Sequence, residues 1–419
     1  MIDNGRERLL PILILGVLFF LFGFVTWLNG VLIPYLKIAC ELSNFQSLFV
    51  AFAFYIAYFI MALPSAWVLK RIGLKNGMMA GLLVMAVGAV LFIPAASART
   101  YGMFLGGLFI IGTGLSILQT ASNPYITIIG PIESAAKRIS IMGVCNKVAG
   151  FLAPLVLGAV ILHDGDDLLA ALEALPMQEK EARLDELARR VVTPYTIMSL
   201  VLVGLAVLVK WSPLPDIEAE GEEQSGGAPP DPMRVLAFPH LVLGVLALFL
   251  YVGAEVIAGD TIGTYGQSQG VPLSIARHLT SYTMAAMVIG YFIGIITIPR
   301  IISQSTALVW SAISGVVFTL LAMALDGFAS VICIALLGLA NALVWPAIWP
   351  LAIKGLGAHT KTGSAMLIMA IAGGAILPLI YGRLADAPAI GPRTAYSILI
   401  PCYLFILWYG MKGSRIKSW

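Results

Sequence analysis

The chain has 419 residues, of which 59% are hydrophobic and 11% are charged, and its formal net charge is +3. A soluble globular chain carries about twice that share of charge. The basic residues are scattered through short loops and form no basic face, so no nucleic-acid partner is indicated. The composition predicts an all-α membrane protein whose main partner is the lipid bilayer.

Apolar stretches of about 18 residues or more, each long enough to cross a bilayer, recur from one end of the chain to the other. We number the predicted spans from 1 to 12. Spans 1 to 6 are predicted at 9–34, 47–69, 76–95, 102–129, 138–162 and 194–211. Spans 7 to 12 are predicted at 238–266, 275–298, 304–325, 328–353, 361–384 and 394–411. Span 1 is too long for a signal peptide and no small-residue cleavage site follows it, so we expect it to stay in the membrane.

Two longer polar segments organise these spans. Residues 212–237 are acidic and rich in proline and glycine, which predicts a flexible linker between an N-terminal six-helix bundle at 1–211 and a C-terminal one at 238–419. Residues 163–193, between spans 5 and 6, have partial helical periodicity and many charges. This pattern predicts an amphipathic helix lying over one end of the bundle, with a substrate gate as the alternative.

Basic residues predict the orientation. They concentrate in the short loops on the side of the two termini, as at Arg71, Lys75 and Lys412, and are sparse on the opposite side. The positive-inside rule therefore places both termini and the linker in the cytoplasm, in a bacterial inner membrane. The cysteines have neither zinc-like nor redox-motif spacing and are predicted to be buried thiols: Cys40, Cys145, Cys333 and Cys402.

Six motifs follow one another along nearly the whole chain: TWLNGVLIPYLKIA, LQTASNPYITIIGP, CNKVAG, YVGAEVIAGDTIGTYG, WPAIWPLAIKGLG and GSAMLIMAIAGGAILPLIYG. They resemble the fucose permease family of the major facilitator superfamily, especially its glucose–galactose porters and N-acetylglucosamine permeases. The basic loop LPSAWVLKRIGLKNG resembles the superfamily's basic inter-helix loop motif. The resemblance implies twelve transmembrane helices in two pseudo-symmetric six-helix bundles that rock about a midplane site. It also implies cation-coupled import of a neutral hexose, and we expect a functional monomer.

Two positions depart from that family. The family commonly carries an aspartate directly after the position of Asn29, where this chain has Gly30. Fucose permease has a glutamate at the position of Gln119. The coupling group must therefore lie elsewhere.

Ionisable residues inside a bilayer are costly and are functional candidates by default. Lys147 lies about ten residues into span 5, or roughly 15 Å deep, and needs an anionic partner. Span 7 offers Glu255, nearer the midplane, and Asp260, at about the depth of Gly30 in span 1. We predict that Asp260 has taken over the coupling role and that Glu255 pairs with Lys147. The alternative is a static brace between Lys147 and Glu255.

Sugar recognition requires hydrogen-bonding groups and a flat apolar face. Amides that can donate and accept lie in spans 1, 4 and 5, and tryptophans spaced four residues apart follow an amide in span 10. Packing between helices is the alternative for each. The predicted substrate-binding residues are Asn29, Gln119, Asn123, Asn146, Asn341, Trp345 and Trp349.

Other functions fit less well. An exporter of drugs or metabolites on the same fold is the main alternative, but exporter pockets are mostly apolar. The four histidines are predicted at helix ends or in loops and form no catalytic set, so an enzyme is not expected. No cofactor is expected beyond the coupling ion, H⁺ or Na⁺, and a sodium ion would bind near Asp260.

Overall fold

The computed structural model describes residues 6–128, 135–214, 232–298, 301–356 and 359–418. Over these residues, 11 helical stretches are long and apolar enough to cross a membrane. One of them, Asn44–Ser97, has 54 residues and contains both span 2 and span 3. The structure therefore accommodates the twelve predicted crossings.

The N-terminal spans are helical where the hydrophobic runs predict. Span 1 is broken at Leu28 into the helices Arg6–Trp27 and Asn29–Ala39. Spans 2 and 3 comprise Asn44–Ser47, Phe49–Val90 and Phe92–Ser97. Spans 4, 5 and 6 are Tyr101–Ile128, Ala135–Ile161 and Val192–Trp211.

The C-terminal spans are interrupted more often. Span 7 consists of Pro239–Asp260 and Ile262–Ser268, and span 8 of Leu273–Ala276 and Leu279–Thr297. Span 9 is Gln304–Ala324, and span 10 consists of Gly327–Asn341 and Val344–Ile353. Span 11 runs through Thr360–Met369, Ala370–Ala372 and Gly373–Ala385. Span 12 runs through Gly391–Ala395, Tyr396–Ile398 and Leu399–Met411, and a short 3-10 turn, Gly413–Arg415, follows it.

Gly73 makes the turn between spans 2 and 3. Its φ of 77° and ψ of 168° are not helical, although hydrogen-bonded helix continues on both sides. Only glycine adopts such a positive φ without strain. The basic loop around it can therefore join two antiparallel spans with very few residues.

The segment 163–193 forms two helices, Gly165–Ala174 and Met177–Arg189, rather than the single predicted helix. Leu187 is buried, and its carbonyl accepts a hydrogen bond from the Tyr35 hydroxyl at 2.7 Å. Arg99 bonds to Glu181 in the second helix. We call this pair of helices the cover, and its second helix is anchored to the N-terminal half. The cover lies at the end of the bundle opposite the chain termini, which we call the far side.

The linker prediction falls mostly on residues 215–231, which lie outside the described part of the chain. At its end, Pro232–Ala237 forms a short 3-10 helix that leads into span 7. The cysteine prediction is confirmed for Cys333 and Cys402, which are buried, and wrong for Cys40 and Cys145, which are half-buried. All four are free thiols.

The two halves meet along one seam, formed by spans 1, 2 and 5 on one side and spans 7, 8 and 11 on the other. Span 1 packs on span 7, span 2 on span 11, and span 5 on span 8. Glycines permit the close approach: a Cβ on Gly259 would lie 2.4 Å from the Trp27 ring, and one on Gly382 would lie 2.6 Å from Leu48. The seam contains the predicted coupling residues.

Candidate functional site at the seam

An ion pair crosses the seam between spans 5 and 7. The Lys147 Nζ lies 2.9 Å from Glu255 Oε1, and each side chain is only 11% exposed. Tyr55, Tyr251 and Tyr291 lie within electrostatic reach of the Glu255 carboxylate. The pairing predicted from depth along the helices is therefore the contact that the structure contains.

Trp27 completes the surroundings of Lys147. The ammonium lies 5.1 Å from the centroid of the Trp27 ring, a distance suited to a cation–π contact. The ring fits between two glycines, because a Cβ on Gly150 or on Gly259 would approach it to 2.4 Å. Trp27 therefore ties span 1 to the helices that carry Lys147 and Glu255.

Asp260 differs from Glu255 in having nothing to offset a charge. It is 0% exposed, and neither carboxylate oxygen has a hydrogen-bond partner. It ends the helix Pro239–Asp260, one residue before the break in span 7 at Thr261. A buried carboxylate without a partner is costly unless a cation binds to it. This geometry makes Asp260 the candidate for the coupling ion.

The position of the missing family aspartate faces the same region. A Cβ on Gly30 would lie 2.2 Å from the Thr280 hydroxyl oxygen, and one on Gly263 would lie 3.6 Å from the Gly30 carbonyl oxygen. Thr280 donates to the carbonyl of Gly259, next to Asp260, at 2.7 Å. Gly30 therefore has no room for a carboxylate, and the acidic group at this level of the seam belongs to span 7.

The predicted amides are in different environments. Asn29 is 1% exposed and neither of its side-chain polar atoms has a partner. Gln119 is half-buried and donates to the Tyr58 hydroxyl at 3.3 Å, and Asn146 donates to the Phe19 carbonyl at 3.3 Å. Asn123 is exposed. The midplane site that the resemblance implies is closed around Asn29 and Asp260, because the halves are packed together there.

Span 10 is a broken helix, and the break separates the predicted amide from the two predicted tryptophans. The helix is interrupted at 342–343, between Asn341 and the two tryptophans. Asn341 is 1% exposed and accepts a hydrogen bond from Tyr403 of span 12 at 3.0 Å. Trp345 and Trp349 stack on each other, with centroids 5.6 Å apart and planes at 22°. Asn341 thus serves packing within the C-terminal half, while the tryptophan pair keeps a flat, half-buried surface.

Sequence reasoning missed four residues that shape this region. Their signals in the sequence were weak: Trp27 lies two residues before Asn29 in the TWLNG motif, and the others are single aromatic or hydroxyl residues within apolar runs. The structure adds Trp27, Tyr55, Tyr58 and Thr280.

Two packed helical halves with an ion pair and an unpartnered carboxylate on their seam define a membrane carrier of the alternating-access class. The family model described as Major Facilitator Superfamily matches residues 15–378, and the chain belongs to this superfamily.

Relatives extend this assignment over nearly the full length. The glucose/galactose transporter of Brucella abortus (strain 2308) is 38% identical over 408 residues, covering 96% of this chain and 93% of the relative. The L-fucose-proton symporter of Escherichia coli (strain K12) is 31% identical over 426 residues, covering 99% and 96%. The predicted resemblance to the fucose permease family is confirmed.

Solved structures agree with the fold. The E. coli fucose:proton symporter FucP, solved in the outward conformation, superimposes with a TM-score of 0.73 at 30% identity, covering 98% of this chain and all of FucP. A D-xylose-proton symporter has a TM-score of 0.68 at 15% identity, which supports the fold alone.

Proposed function

We propose that this protein is a secondary active importer that couples entry of a cation to entry of a neutral hexose. The observation that carries the proposal is the similarity over 96% of the chain to a relative named as a glucose/galactose transporter. Amides at Asn29, Gln119 and Asn146 supply groups that can donate to and accept from sugar hydroxyls. The Trp345–Trp349 pair supplies a flat surface against which a pyranose ring can lie.

The coupling ion is a proton in this proposal. A single carboxylate oxygen is sufficient to hold a proton, and Asp260 is a buried carboxylate without a partner. Glu255 is already engaged by Lys147. The relative named as an L-fucose-proton symporter supports the same choice.

During the cycle, Asp260 would bind the proton while the far side is open and release it after the halves rock. The Lys147–Glu255 pair lies one to two turns away on the same seam and would respond to that charge. The monomer suffices, because both halves of the site come from one chain. The far side would face outward in a bacterial inner membrane, which the basic loops on the termini side support. An impermeant label on a cysteine introduced at His163 in intact cells checks this orientation.

The test is uptake into proteoliposomes that contain the purified protein. Labelled glucose, galactose and N-acetylglucosamine are offered with a proton gradient alone or a sodium gradient alone. We expect accumulation of at least one hexose under the proton gradient only. Accumulation under sodium alone would reassign the ion, and failure to take up any of the three under either gradient would refute hexose import.

Asp260→Asn separates the coupling role from sugar binding. The variant keeps the size of the side chain but cannot gain and lose a proton. We expect it to retain exchange of labelled for unlabelled sugar and to lose accumulation against a gradient. Full uphill uptake by Asp260→Asn would remove Asp260 from coupling.

A further inference from the structure

Two carboxylates on the far side each bond across the seam to the first turn of a helix in the other half. Asp386, directly after Gly373–Ala385 of span 11, accepts from the backbone N–H of Asn44 at 3.1 Å and of Phe45 at 2.8 Å. These residues begin span 2. Both carboxylate oxygens are used, one for each N–H.

The second link has the same design in the opposite direction. Asp166, in the first helix of the cover after span 5, accepts from the backbone N–H of Leu273 at 2.6 Å and of Ser274 at 3.3 Å. These residues begin span 8. In a fold of two equivalent halves, spans 2 and 8 correspond, and so do spans 5 and 11. The two links are therefore pseudo-symmetric.

A glycine beside each carboxylate lets the opposing helix approach. A Cβ on Gly382, one turn before Asp386, would lie 2.6 Å from Leu48 and 3.0 Å from the Cα of Phe45. A Cβ on Gly165, next to Asp166, would lie 2.8 Å from Leu273. The close approach and the carboxylate occur together in both places.

The physical basis is that the first N–H groups of a helix lack intrahelical partners and carry partial positive charge. A carboxylate that accepts two of them makes charge-assisted hydrogen bonds. Basic groups reinforce both links: Lys37 lies within electrostatic reach of Asp386, and Arg277 within reach of Asp166 and bonded to the Leu162 carbonyl. Opening the far side separates span 2 from span 11 and span 5 from span 8, so it must break all of these contacts.

We infer that Asp166 and Asp386 are paired latches that hold the far side closed and set how often it opens. The inference rests on the proposed alternating-access function, but its test requires no sugar. Loss of one latch favours the open arrangement, and loss of both does so more strongly. Because the two latches involve different spans, one latch can be removed while opening is measured at the other.

The test measures opening at the latch that has not been altered. In a chain whose four cysteines are replaced by serine, Leu48→Cys reports on the span 2–span 11 contact and Leu273→Cys on the span 5–span 8 contact. Both leucines are buried, at 2% and 1% exposure. The rate of reaction with an impermeant maleimide is measured for Leu48→Cys with Asp166→Ala, and for Leu273→Cys with Asp386→Ala.

We expect each latch variant to speed labelling at the opposite reporter about fivefold, which corresponds to roughly 1 kcal/mol for a hydrogen-bonded contact of this kind. Asp167→Ala is the matched control, since the bonds to Leu273 and Ser274 are made by Asp166 and not by its neighbour Asp167, and it should leave the rate unchanged. Unchanged rates in both latch variants would overturn the inference, whatever the sugar assay gives. Should an alanine variant fail to fold, Asp166→Asn and Asp386→Asn keep one acceptor oxygen each and should give a smaller increase. No increase in those variants would overturn the inference equally.

Discussion

The ion pair between Lys147 and Glu255 lies in a region where neither charge can reach bulk water easily. Each side chain is 11% exposed, and the pair links the two halves. Removing one partner from such a pair leaves an uncompensated charge, which costs more than removing both. The pair can therefore be tested for two roles at once, as a brace and as part of the coupling machinery.

Lys147→Met and Glu255→Gln, made singly, should each destabilise the folded protein by about 3 kcal/mol, because each leaves its partner unpaired in the seam. The double variant Lys147→Met/Glu255→Gln should recover most of that stability. Thermal unfolding of the purified protein in detergent measures the difference. Equal destabilisation in the single and double variants would show that packing, and not the unpaired charge, causes the loss.

The same double variant distinguishes a brace from a coupling element. We expect it to exchange labelled sugar but to accumulate little under a proton gradient, since the charge that responds to Asp260 is gone. Normal accumulation by the stable double variant would leave the pair a structural role only. Asp326→Asn, at a side chain that is 82% exposed on the far side, is the control and should accumulate sugar normally.

At the scale of elements, spans 1 and 8 touch through a residue without a side chain. Gly30 faces Thr280 so closely that a Cβ would lie 2.2 Å from the threonine hydroxyl oxygen and 2.8 Å from its Cβ. Overfilling a packed contact costs about 1 to 3 kcal/mol. The substitution therefore raises the free energy of the conformation in which spans 1 and 8 are in contact.

Gly30→Ala should therefore slow uptake about tenfold, which corresponds to roughly 1.4 kcal/mol. Thr280→Gly removes the three atoms that would lie nearest to the new methyl group, so Gly30→Ala/Thr280→Gly should recover part of the rate relative to Gly30→Ala. Gly204→Ala is the control, because a Cβ there meets nothing within 4 Å. A Gly30→Ala variant with the wild-type uptake rate would show that the spans separate enough to accept the methyl group.

The sequence predicted the membrane-spanning helices because the thickness and apolar core of the bilayer determine their length and composition. Apolar runs fixed the crossings, and the rise per residue placed Lys147 level with Glu255. The breaks in span 1 at Leu28 and in span 7 at Thr261 were not predicted, because neither position is a proline or a glycine.

Contacts between residues of the two halves also could not be predicted from the sequence. In the sequence Trp27 is one of many apolar residues, and its role depends on two glycines from other spans that lie against its ring. Asp166 and Asp386 resemble ordinary loop carboxylates. Their bonds become visible only when span 5 is placed beside span 8, and span 11 beside span 2.

At the scale of the whole molecule, a rocking carrier must keep its gate and its coupling site chemically separate. A latch that titrated with Asp260 would open the far side whenever the proton concentration changed, with or without sugar. The bonds that Asp166 makes indicate how this separation is achieved. Hydrogen bonding to Ser274, aided by the backbone N–H of Leu273 and the charge of Arg277, holds the pKa of the Asp166 carboxyl below its ordinary value of 3.8.

The sign of the pH dependence follows from that lowered pKa. The closed arrangement favours the ionised carboxylate, so the contribution of Asp166 to closure is complete above its ordinary value and is lost as pH falls through the lowered one. In an Asp260→Asn background, labelling of Leu48→Cys should therefore stay constant from about pH 8 to 5.5 and rise only below about pH 4. A cysteine introduced in place of Ser97, which is exposed on the far side, is labelled in parallel. Dividing by its labelling rate corrects for the effect of pH on the reactivity of the thiol. A change between pH 8 and 5.5 in this background would mean that a group other than Asp166 and Asp260 controls closure, and the gate would then be coupled to the proton by a second route.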